Sequence, residues 1–85
     1  VNIYPELIED IILSETDAID EIVVAAEKDK ESLFAEIYCK NKEEDAVENA
    51  ISIYNSSVPV FKRINRILYR NEPFKRNALE KIVRN

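Results

Sequence analysis

Apolar side chains recur three and four positions apart along most of the chain, and no stretch shows a long strict alternation of apolar with polar residues. That periodicity predicts helices. The first spans about Pro5 to Leu13, with Pro5 where a missing N–H costs nothing and with Leu7, Ile8, Ile11 and Ile12 on one face. Ile3 and Tyr4 are expected to pack beneath it. The second starts near Thr16 or Asp17 and carries Ile19, Ile22, Val23 and Ala26 as its stripe. Val24 then falls on the far side, among Asp17, Asp20, Glu21, Glu27 and Lys28, and is expected to be exposed. On that reading Val24→Asp would leave stability unchanged. Residues 27–31 are either a break or the exposed middle of one long helix reaching Lys40.

Leu33, Phe34, Ile37 and Tyr38, flanked by Ala35 and Cys39, make the widest apolar arc, which predicts the most buried helix. Asn41 is expected to end it and to cap the next. A fourth helix, about Lys42 to Tyr54, buries Ala46, Val47, Ala50, Ile51 and Tyr54 and stops at the polar residues 55–57. A fifth starts beside Pro59 after a Ser57 cap and presents Phe61, Ile64, Ile67 and Leu68. Asn71 and Pro73 punctuate, and a last helix carries Phe74, Ala78, Leu79, Ile82 and Val83. The chain has no glycine and three prolines, so tight two-residue hairpins lack the residues that adopt positive φ. The expected fold is all-α: a compact orthogonal bundle of five to six short helices, with death-domain-like or helical-repeat-like packing. Residues 1–85 are expected to form a single domain, and the start at Val1 points to one excised from a larger protein.

Composition narrows the chemistry. With no histidine, the commonest general base and metal ligand is absent, and with no glycine neither phosphate-cradling loop can be built in its usual form. Cys39 has no cysteine or histidine partner for a metal or a catalytic pair, and reads as a small core residue in a reducing compartment. Glu43, Glu44 and Asp45 suit the positive end of a helix better than a cation site, because consecutive helical residues point apart. No catalytic, cofactor or metal site is therefore expected. No apolar run approaches the roughly 18 residues of a membrane span, and residues 1–10 lack the basic start and apolar stretch of a signal peptide, so an intracellular address, cytoplasm or nucleus, is expected.

Charge is divided along the chain. Residues 1–57 hold 15 acidic and 4 basic side chains, whereas residues 58–85 hold 8 basic and 2 acidic, within an overall charge of −5. On a fifth helix Lys62, Arg63, Arg66 and Arg70 share one face, bordered by Tyr69, and these five are the candidate partner-binding residues. Three functions compete for them. The first is a non-enzymatic docking domain that meets a partner protein, or a second copy of itself, through complementary charge. The alternative is a nucleic-acid-binding domain in a regulatory or replication protein, with Tyr69 stacking on a base. The third is an accessory domain of an enzyme whose active site lies elsewhere in a parent chain. Mutual neutralisation of the two charge blocks within the fold is the plainest account of the same pattern.

Overall fold

A computed structural model describes residues 3–27 and 32–75. Its elements are α1 (Pro5–Glu15), β1 (Glu21–Ala26), β2 (Leu33–Tyr38), α2 (Glu44–Ser56), a 3-10 turn (Val60–Lys62) and β3 (Ile64–Arg70). The strands form one mixed sheet in the order β1-β2-β3, with β1 antiparallel and β3 parallel to β2. Among the described residues the fold is thus α/β, and the expected all-α bundle of five to six helices is wrong.

Two helices stand where the periodicity put them. Pro5 opens α1, and Tyr4 O accepts from the N–H groups of Leu7 and Ile8 at 3.0 and 3.3 Å. In α2, Val47, Ala50, Ile51 and Tyr54 are buried and Ala46 is half-buried, as the spacing predicts. The turn before α2 differs in detail, since Lys42 rather than Asn41 takes the positive φ, at 54°.

The other predicted helices are strands. In β1, Ile22 and Val24 point into the core, and Val24 is 1% exposed, so its expected position on an outer face is reversed. β-branched residues fit a pleated surface better than a helix, and Ile22, Val23 and Val24 are consecutive. In β2 the burial alternates strictly, with Leu33, Ala35 and Ile37 inward and Phe34, Glu36 and Tyr38 only half-buried. Because Phe34 and Tyr38 are themselves apolar, this period of two does not show as an alternation of apolar with polar residues.

Leu33 pairs with Ile64 and Phe34 with Arg66, leaving Asn65 as the extra residue of a bulge. The hairpin between β1 and β2 needs no glycine, because it is closed across residues 27–32 by Glu27 N–H donating to Ser32 O at 2.8 Å. A long helix through 27–31 is thereby excluded, although residues 28–31 themselves lie outside the described residues. So does nearly all of the predicted last helix, at 76–85.

Both helices pack on the same face of the sheet. Ile8 and Ile12 of α1 and Val47, Ile51 and Tyr54 of α2 share one core with Ile22, Val24, Leu33, Ala35, Ile37 and Ile64 of the strands. Leu7 and Ile11 of α1, expected inside, are 60% and 47% exposed.

Three polar side chains tie this layer to the sheet. The buried Glu9 carboxylate accepts from Val24 N–H at 2.7 Å, occupying the outer edge of β1 with a helix side chain rather than another strand. Cys39 Sγ donates to Ala18 O at 3.1 Å and accepts from Glu43 N–H at 3.2 Å, joining the entries to β1 and α2. Asn55 holds the start of β3, its Oδ1 accepting from Ile64 N–H at 2.8 Å and its Nδ2 donating to Ile64 O at 2.9 Å.

Candidate interaction surfaces

The two faces of β3 separate the residues that the helical reading had grouped. Lys62 lies in the 3-10 turn and Arg63 follows it, while Arg66, Tyr69 and Arg70 belong to the strand. By register Tyr69 stands opposite Ile37, on the helix-bearing face, whereas Arg66 pairs with Phe34 and Arg70 with Tyr38 on the other. No continuous basic helix face exists among them. What the structure brings together is the sheet face turned away from the helices, with arginines on it, and, across the strand, an acidic groove.

On the face away from the helices, Arg66 pairs with Glu27 at 2.7 Å and lies 5.4 Å from the centre of the Phe34 ring. Arg70 pairs with Glu36 at 2.7 Å, donates from Nε to Glu72 O at 3.0 Å and lies 4.3 Å from the centre of the Phe74 ring. Phe74 N–H in turn donates to the buried Glu21 carboxylate at 2.8 Å. Residues 71–75 therefore run from β3 to β1 across this face, held by Arg70 at one end and Glu21 at the other. Arg63 Nε donates to Val58 O at 3.3 Å, and Lys62 lies 6.0 Å from the centre of the Phe61 ring. Parts of the acidic and basic blocks thus meet within the fold, as partly exposed pairs each worth about 0 to 1 kcal/mol.

The groove lies between α2 and the outer edge of β3. Ile51, Ile64 and Ile67 line its floor, Ser52 and Asn55 one wall, and Glu44 and Glu48 its acidic end beside Tyr69. Burial, and then the negative charges of Glu48 and Glu44, push the Tyr69 phenol up to about 12. Tyr54 is also raised, by burial, and its hydroxyl donates to Lys62 O at 2.7 Å.

A phenol whose folded pKa exceeds its unfolded value adds stability that is complete below pH ~10 and is lost as pH climbs through the folded value. The urea midpoint is accordingly expected to fall from about pH 10 towards pH 12, and Tyr69→Phe should flatten that fall. A Tyr69→Phe titration that overlays the parent chain would contradict it.

Sequence reasoning placed Glu44 at a helix start and Asn55 at a helix end but missed the surface they share. Nothing in the sequence marks β3 as the last strand of a sheet. Glu43, Glu44 and Asp45 remain together at the start of α2, and among the described residues no group of three or more His, Cys, Asp or Glu is arranged to hold a metal ion. No described helix is long and apolar enough to cross a membrane.

No protein-family model and no curated protein matches this sequence. Among solved structures, a Mycobacterium tuberculosis fatty acyl CoA synthetase is similar with a TM-score of 0.65 and 21% sequence identity, over 98% of this chain and 16% of the synthetase. At that identity the likeness establishes a shared fold, and this chain spans about one sixth of the enzyme's length.

Proposed function

We propose that this chain is an accessory domain of a larger enzyme of the acyl-CoA synthetase kind, and that it contributes a packing and docking surface to that enzyme. One observation carries the reading: almost all of this chain, 98%, superposes on a part amounting to 16% of a fatty acyl CoA synthetase. The composition agrees with a supporting role, since a chain without histidine or glycine lacks the usual acid–base and phosphate-cradling groups, and most of the active site then belongs to the rest of the parent.

The test is direct. The native polypeptide that contains this chain is assayed for fatty acyl-CoA formation, with and without residues 1–85, while thermal unfolding checks that the remainder stays folded. The expected result is acyl-CoA formation by the whole polypeptide and a loss of tenfold or more, about 1.4 kcal/mol of barrier, on deletion. No acyl-CoA formation by the whole polypeptide, or undiminished formation by the folded remainder, would sink the proposal.

A docking domain without an enzyme parent is the second reading, favoured by the exposed Tyr4, Leu7 and Ile11 along the outer side of α1. In either reading Lys62, Arg63, Arg66, Tyr69 and Arg70 are candidates for contact with a partner. Arg66 and Arg70 would first exchange their internal carboxylate partners, Glu27 and Glu36. A phosphate would have to displace the same two carboxylates, at about 0 to 1 kcal/mol per pair, so the pairings do not separate a nucleic-acid partner from a protein one.

A further inference from the structure

We propose that the groove between α2 and the outer edge of β3 takes an extended, basic segment of a partner protein as an added strand. Four observations converge on it. Among the described residues β3 is the last strand of the sheet, and only one of its edges is paired with another strand. Among the described residues, no backbone-to-backbone hydrogen bond outside the β2 ladder involves residues 65–70. Such an edge is a template for another chain.

Asn55 shows in which direction that template faces. Its amide accepts from Ile64 N–H and donates to Ile64 C=O, the pair of bonds that a neighbouring strand would make. The backbone at the start of β3 therefore presents its polar groups towards α2, and an extended segment can continue the pattern from there.

The groove also has side-chain chemistry to select what enters. Ile51 and Ile64 are buried and Ile67 half-buried, giving an apolar floor for alternate side chains of the added strand. Towards the other end stand Glu44 and Glu48, both exposed, and α2 carries no lysine or arginine to neutralise them. The Tyr69 phenol, raised first by burial, is raised further by Glu48 and Glu44. Arg66 reaches the groove only in part, since its guanidinium pairs with Glu27 and lies over Phe34. An occupant that places lysine or arginine beside Glu44 and Glu48, and valine or isoleucine over the floor, satisfies the whole groove.

The probe is a fluorescein-labelled peptide as long as β3, alternating valine or isoleucine with lysine, titrated into the 85-residue chain by fluorescence anisotropy. Saturable binding is expected, with a Kd of roughly 100 µM or tighter. Methylating alternate backbone amides of the peptide should weaken it about tenfold or more, because only strand addition uses those N–H groups. Glu44→Lys with Glu48→Lys should weaken the lysine peptide about tenfold and favour a glutamate counterpart, with far-UV circular dichroism unchanged.

Absence of saturable binding would overturn the proposal. So would equal binding of the methylated peptide, or unchanged affinity in the folded double variant. Concentration-dependent dimerisation that excludes the peptide would reassign the edge to a second copy of the chain, and would overturn it as well.

Discussion

Val24→Asp is expected to remove roughly 4 kcal/mol or more of folding stability, a large part of the whole for a domain of this size. The 1% exposed side chain lies in the core against the sheet's helix layer, so a carboxylate there would be taken out of water among apolar side chains. Its own backbone N–H already bonds the buried Glu9 carboxylate at 2.7 Å, so a second acid on this residue would stand close to the first. Thermal unfolding followed by circular dichroism reads the effect, with a fall in Tm of about 16 °C or more if the variant folds at all. Near-parent stability would return Val24 to an outer surface and would count against the strand β1.

Tyr54 carries the second large effect. It is 1% exposed, is among the largest fully buried side chains, and joins the α2 layer to the turn before β3 through its hydroxyl bond to Lys62 O at 2.7 Å. Tyr54→Ala is expected to cost about 3 to 5 kcal/mol, combining lost burial with the cavity left behind. Tyr54→Phe separates the two contributions, because it keeps the ring and removes only the hydroxyl. Its cost should be about 1 kcal/mol, rising towards 3 if Lys62 O is left without another donor. Denaturant midpoints of the two variants check this, and equal losses in both would mean that the hydroxyl, rather than the ring, anchors the turn.

Both variants bear on how the chain encodes its fold. α1 and α2 were legible because their information is local: a proline at the first position of α1, and apolar residues at three- and four-residue spacing that a single helix face can bury. Even so, periodicity overstated the buried side of α1, since Leu7 and Ile11 belong to the same repeat as Ile8 and Ile12 yet face outward. Which half of a wide apolar arc is covered depends on what lies next to it.

The strands were not legible for a related reason. In β2, Phe34 and Tyr38 are apolar and occupy the outer face, so the segment from Leu33 to Tyr38 fits a helical arc and a strand equally well. β1 carried a signal in its consecutive β-branched residues, which spacing alone outweighed in the helical reading. Absence of glycine disfavours a two-residue turn, but it does not bear on a hairpin whose strands end at Ala26 and start again at Leu33.

The candidate site divides in the same way. The charge asymmetry was visible in the sequence, and its consequence was not: Glu36 meets Arg70 because β2 and β3 lie side by side and parallel, and Glu27, just after β1, reaches Arg66 because β1 also pairs with β2. The acidic groove requires α2, between those strands in sequence, to cross back along the edge of β3, and then Glu44 and Glu48 come beside Tyr69.

By itself the sequence determined two helices, the residues that bury α2, the division of charge and the chemistry this chain lacks, because each follows from neighbours within a few positions. Tertiary structure alone decided that the remaining apolar segments are strands, which faces they cover, and which polar groups stand at an open edge. Strand pairing and burial join residues far apart in the chain, and no local spacing specifies which of two equally apolar faces will be buried.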